Sequence, residues 1–181
     1  IPSVSRADLA GPGAPFGPDC RKVLDYALER GRFYGFDTVD HDGYAGAVCL
    51  GGTDAENSVG MIAHLDVVPV GDGWIYPPFD AVYLPEYDAI VGRGTDDNKG
   101  PAVLGLFAMR MLREFGWPLK HGIRLICGMS EETGMQDMTY MVEEENSIVF
   151  VSKTKEYGVP IRDGGSSFLI MKYCPWCGKE L

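Results

Sequence analysis

An α/β domain, a mixed sheet flanked by helices, is the fold class this sequence predicts, and three observations carry it. Short apolar runs of strand length alternate with longer stretches of helical periodicity. Clusters of Gly, Pro, Asn and Asp punctuate the transitions. The segments richest in His, Asp and Glu follow directly after apolar runs, and open α/β sheets bind ligands at the carboxyl ends of their strands. Composition agrees: 181 residues, 45% hydrophobic and 11% aromatic, hold enough apolar surface to offset ordering entropy. The length suits one domain or one domain with a small appendage.

Residues 1–18, with Gly11-Pro12-Gly13-Ala14-Pro15, read as loop. Asp19 is placed to cap a helix from about Cys20 to Gly31, with Leu24, Ala27 and Leu28 on one face. Strands are expected at Phe36–Val39 and Tyr44–Leu50, joined through the hairpin signal Asp42-Gly43. Val59–Ala63 is a short apolar strand, and Ala81–Leu84 with Ala89–Val91 form a second hairpin. A helix over Pro101–Phe115 sets Leu104, Phe107, Ala108, Met111 and Leu112 along one stripe, with Pro101 in its first turn. Ile123–Cys127 is a strand, and Thr133 is placed to cap a helix from Gly134 to about Glu145. Ile148–Ser152 and Ser167–Lys172 read as strands of a short β-rich C-terminal appendage, flanking turns at Gly158-Val159-Pro160 and Asp163-Gly164-Gly165.

Charge limits the partners. The 16 Lys and Arg against 26 Asp and Glu give a net charge of −10, which argues against nucleic acid or an anionic membrane. No apolar run approaches the ~18 residues of a membrane span. Ile1–Arg6 lacks a secretory pattern, and five cysteines, an odd count, make no disulfide framework, so a reducing cytoplasm is expected. Residues 1–146 carry 11 basic and 23 acidic residues, whereas 147–181 carry 5 and 3. That break, after Glu143-Glu144-Glu145-Asn146, places an expected boundary between a core at 1–146 and a tail at 147–181.

Three polar clusters concentrate the chemistry: His64-Leu65-Asp66, the run Gly92–Gly100 containing Asp96-Asp97-Asn98-Lys99, and Ser130-Glu131-Glu132-Thr133-Gly134. One imidazole and several carboxylates form a ligand set for zinc or a similar divalent ion. In extended chain i and i+2 share a side, so Asp66 can reach the His64 nitrogen that does not hold metal, fixing its tautomer. Glu131 and Glu132 can divide labour, one on the metal and one accepting a proton. Each segment also has a plain structural reading: a loop histidine, turn residues, and acids at a helix N-terminus. A P-loop is excluded, because Asn98 precedes Lys99 and Gly100 follows it.

The order of motifs resembles a known family. Gly60-Met61-Ile62-Ala63-His64-Leu65-Asp66-Val67-Val68-Pro69, then Gly73-Trp74, Pro77-Pro78-Phe79-Asp80, Gly92-Arg93-Gly94-Thr95, Lys99-Gly100-Pro101 and Ser130–Gly134, is similar to the di-zinc peptidases of the aminoacylase, carboxypeptidase G and dipeptidase V type. Ile1-Pro2-Ser3-Val4-Ser5 and Ala14-Pro15-Phe16-Gly17 resemble its dipeptidase branch, and the likeness spans about residues 1–146. It implies a zinc-dependent hydrolase of the amide bond of short peptides or N-acyl amino acids, with two zinc ions. It implies His64, Asp97 and Glu132 as metal ligands, Asp97 bridging, and a cis Asp97–Asn98 peptide. It implies Glu131 as general base toward a metal-activated water and Asp66 as the orienter of His64.

The sequence departs from that pattern. A third carboxylate is expected some twenty-odd residues after the Glu pair, near Lys153–Lys155, where no acid stands. The histidines are His41, His64 and His121, so none follows Glu132 to complete a second zinc, and the lid domain through which many relatives dimerise has no counterpart. Tyr173-Cys174-Pro175-Trp176-Cys177-Gly178 resembles one knuckle of a zinc ribbon, which makes Cys174 and Cys177 a possible second metal motif, although a structural zinc needs four ligands. Two alternatives therefore stand beside the enzyme: a catalytically incompetent fragment or fusion that keeps the fold, and a small metal-binding or interaction module built on the knuckle.

Overall fold

A computed structural model describes residues 1–52, 58–143, 149–151, 156–160 and 168–171. Its centre is a four-stranded mixed sheet in the order β1-β2-β6-β3. The strands are β1 (Asp37–His41), β2 (Ala45–Leu50), β3 (Ser58–His64) and β6 (Gly122–Gly128). β1 and β2 form the expected hairpin, with Asp42 and Gly43 at φ 52° and 79° in the connection between His41 and Ala45, the left-handed conformation that favours Asp and Gly in a turn. β2 runs antiparallel to β6, and β3 runs parallel to it.

Helix α1 (Pro18–Phe33) and helix α2 (Lys99–Glu114) cover one sheet face, and α3 (Gln136–Glu143) covers the other. The period of two sorts the strands between these layers. Val48, Leu125 and Cys127 face the α1 and α2 side, packed with Leu24, Leu28, Leu106 and Met109. Ala47, Cys49 and Ile126 face Met138 and Met141. Full burial of each large aliphatic side chain stabilises by roughly 1.5–3 kcal/mol. α1 approaches closely because its Gly31 meets Val48, where an added Cβ would stand 2.9 Å from both methyl groups.

The element ends refine the sequence expectations. Gly17, at φ 87°, is the N-cap of α1 and Pro18 its first residue, so Asp19 lies in the first turn as a favourable charge and not as the cap. α2 begins at Lys99, two residues before Pro101. Thr133 does not cap α3: Glu131–Thr133 form a single 3-10 turn, ended by Gly134 and Met135 at positive φ. β4 (Val82–Leu84) and β5 (Ala89–Val91) form the second hairpin as a separate two-stranded sheet. In the tail, β7 (Val149–Val151) and β9 (Phe168–Met171) both pair with a middle strand, β8 (Glu156–Pro160), which the Gly158-Val159-Pro160 turn reading missed. Among the described residues no helix is long and apolar enough to cross a membrane.

Candidate metal centre

The site begins at one pair of neighbours. His64, last in β3, is in parallel register with Gly128, last in β6, so the segments after both strands leave the same sheet edge side by side. The Leu65 amide donates to the Gly128 carbonyl at 2.9 Å, and the Val67 amide donates to Ser3 O at 3.0 Å. Ser3 Oγ donates to Leu65 O at 2.6 Å. The N-terminal segment, read from sequence as plain loop, therefore braces the segment that follows His64.

Asp66 is fully buried and serves two neighbours. Its Oδ1 accepts from the Glu131 amide at 3.2 Å and its Oδ2 from the Glu132 amide at 3.1 Å. His64 Nδ1 lies 3.1 Å from Asp66 O and 3.3 Å from Asp66 Oδ1. That fixes the ring with Nε2 turned toward Asp97 Oδ1 at 2.9 Å and Glu131 Oε2 at 3.8 Å. Ligand atoms of His64, Glu131 and Glu132 all lie within 4.8 Å of one another. Asp97 arrives from the glycine-bounded loop before α2, its side chain 64% exposed, and the Asp97–Asn98 peptide is cis. All five residues singled out in the core thus converge at one edge. The Gly92–Gly100 loop follows β5, which lies outside the main sheet, so Asp97 reaches the site from the side. Cys174 and Cys177 lie outside the described residues.

The electrostatics are those of a cation site. Burial disfavours a charged His64 ring, but Asp66, then Asp97 and Glu131, overcome it and push the imidazole up to about 9. Burial first, and then the charge of Asp97, raises the Glu132 carboxyl above its ordinary value. Burial lowers Lys99, whose Nζ donates to the Ile1 carbonyl at 2.8 Å. Carboxylates crowded around one imidazole, some on buried backbone, are complementary to a divalent ion bound through O and N. The donor set fits such an ion.

Sequence reasoning missed the buried Asp137, and it gave Ser130, first residue of the third polar cluster, no task of its own. Asp137, in the first turn of α3, is 1% exposed, and its Oδ2 accepts from the Ser130 amide at 3.0 Å. Burial pushes its carboxyl up to about 6, against the pull of the Ser130 and Met138 amides. An acid at a helix start looks like ordinary dipole complementation in sequence; only the fold reveals the buried partner.

An α/β layered domain with an imidazole and carboxylates gathered where two parallel strands end belongs to the class of α/β folds with a candidate metal site at the strand ends. The comparisons narrow it. The profile described as Peptidase family M20/M25/M40 matches residues 60–166, more than half of the chain, and the chain belongs to that family. The match runs on past Asn146 into the β-rich tail. The chain is 35% identical to "Putative dipeptidase YtjP" of Bacillus subtilis, over 80% of this chain and 30% of that protein. It is 39% identical to a Staphylococcus aureus (strain USA300) protein also named "Putative dipeptidase", over 83% of this chain and 32% of that protein. The solved structure of the di-peptidase Dug1p from Saccharomyces cerevisiae shares the fold at TM-score 0.63 and 20% identity, covering 80% of this chain and 33% of that one. The chain thus spans about a third of the length of the relatives it matches.

Proposed function

We propose that residues 1–146 carry the core of a metal-dependent peptidase acting on the amide bond of short peptides, dipeptides foremost and N-acyl amino acids second, with 147–181 as a β-rich appendage. The observation that carries this reading is the gathering of His64, Glu131 and Glu132 ligand atoms within 4.8 Å around a ring held by buried Asp66. His64 Nε2, Glu132 and Asp97 would hold the ion, with zinc the expected metal. When bound, a divalent cation supplies Lewis acidity, polarising a carbonyl and making water a stronger acid.

The chain's own residues do the rest. Asp66 accepts from the His64 Nδ1–H, which leaves Nε2 as the nitrogen aimed at the cluster, the one that would give up its proton to take the ion. Glu131, its side chain only 11% exposed, is placed to take a proton from water and return it to the leaving amine. The dipeptidase names of the relatives support short peptides as substrates.

A second reading is favoured by one observation: among the described residues the clustered ligand atoms form a single group, His64, Glu131 and Glu132, enough for one ion. On that reading the 181-residue chain binds one ion and turns over slowly. Activity on dipeptides with added zinc, compared with Glu131→Gln, separates the two. Turnover at about 1–10³ per second that the substitution abolishes supports the enzyme. Zinc binding without such turnover supports the one-ion remnant, and no zinc binding at all overturns both.

A further inference from the structure

Three successive backbone amides approach the metal cluster, and each donates to a buried carboxylate. Glu131 and Glu132 donate to Asp66, and Ser130 donates to Asp137 Oδ2 at 3.0 Å. Asp66 reaches them from the end of β3, whereas Asp137 reaches from α3 on the opposite sheet face. The other Asp137 oxygen, Oδ1, accepts from the Met138 amide at 2.8 Å. The backbone has made room for this carboxylate: a Cβ on Gly128 would stand 2.2 Å from Asp137 Oδ2. Ser130 is itself fully buried, and its Oγ accepts from the Gln136 amide at 3.3 Å, closing the turn against the start of α3.

We propose that Asp137 is a positioning residue of the metal site, anchoring Ser130 so that Glu131 and Glu132 are presented beside His64. This rests on the reading of that cluster as a cation site. Asp66 alone fixes the two Glu amides from one side, but it leaves the turn free to pivot at Ser130. The second carboxylate removes that pivot. A role confined to capping α3 would need only Oδ1 on Met138, and neither the reach to Ser130 nor the glycine at 128 would follow from it. Asparagine cannot replace Asp137 fully, because it has one acceptor oxygen for two amide donors.

The test uses the full chain with Cys174→Ser and Cys177→Ser, so that bound zinc reports on the cluster. Zinc affinity is measured by calorimetry, amide exchange of Ser130 by NMR, and folding by circular dichroism. For Asp137→Asn the expected result is an unchanged fold, faster exchange at Ser130, and zinc affinity reduced 10–100-fold, the usual loss when a ligand's supporting partner is removed. Faster Ser130 exchange with zinc affinity within twofold of the parent would overturn the proposal and leave Asp137 a structural cap. If Asp137→Asn does not fold, the parent decides through reciprocity: an anchor that favours zinc must be strengthened by zinc. Zinc should then slow Ser130 exchange, and no change at saturation overturns the proposal. Absence of zinc binding in the parent is a different result, and it overturns the cation-site reading on which the proposal rests.

Discussion

His64 is held by two aspartates, one on each ring nitrogen, and they differ in almost everything else. Asp66 is fully buried at the junction of β3 and β6, and it also carries the Glu131 and Glu132 amides. Asp97 is 64% exposed, on a loop that follows a separate hairpin. The same contact therefore does two jobs. The junction side is architecture, in which removing the acid leaves buried donors unpaired. On the proposed reading the loop side is ligand chemistry, open to solvent and available to an incoming ion. A site of this kind separates the residues that shape it from those that engage the ion.

The largest expected effect is on the junction. Asp66→Ala strands two amides and takes the carboxylate from beside the His64 ring, whose Nδ1 keeps the backbone carbonyl of residue 66, and breaking such a buried pair costs about 3–5 kcal/mol. Urea unfolding of the metal-free chain measures it, and a loss below about 1 kcal/mol would erase the contrast. Asp97→Ala, by comparison, removes an exposed contact and should change stability by less than about 1 kcal/mol, while weakening zinc binding in titration. Equal stability losses for the two variants would mean that Asp97 too is structural.

The pH dependence sharpens the junction further. Asp137 is raised from 3.8 to about 6 by burial, with the charge of Asp66 adding to it. The folded state thus prefers the protonated acid: this contribution is present in full below pH 3.8 and is lost as pH rises through 6. Ionising it costs about 3 kcal/mol at about 1.4 kcal/mol per pH unit. Relative to Asp137→Asn, the metal-free parent should lose stability between pH 4 and 6, read from melts across that range. A parallel pH profile for both chains would show the carboxyl to be in ordinary contact with water.

The smallest effect is a reactivity. Burial pushes the Cys127 thiol, one residue before Gly128, up to about 12, and Cys20 likewise. Neither should react with iodoacetamide at pH 8 in the native chain, since the thiolate is the nucleophile. Mass spectrometry of Asp66→Ala should show Cys127 becoming labelled as the junction loosens. Labelling of Cys127 in the parent would show that the junction is not closed.

Much of this was legible in the sequence. Apolar runs located the strands because β2 and β6 are buried on both faces, and the Asp42-Gly43 turn carried its own conformational signature. Three polar clusters after apolar runs marked the segments, and the likeness to the di-zinc peptidases singled out His64, Asp66, Asp97, Glu131 and Glu132 within them. What could not be read depends on contacts distant in sequence. Ser3 on Leu65 and Asp137 on Ser130 look in sequence like a loop serine and a helix-start acid. β8 was hidden because Gly158 and Pro160 speak for a turn, and only pairing on both sides makes Glu156–Pro160 a strand. The match through residue 166 likewise runs past residue 146, where the charge break and the end of the recognised motifs had suggested a boundary.

The central claim is that the cluster at the β3 and β6 ends holds a divalent cation. Zinc titration of the purified chain, with Cys174→Ser and Cys177→Ser to silence the knuckle, tests it most directly when His64→Ala is titrated beside it. The account predicts saturable binding of one equivalent that survives the cysteine replacements and is lost with His64. Binding that disappears with the cysteines, or that persists without His64, would contradict it.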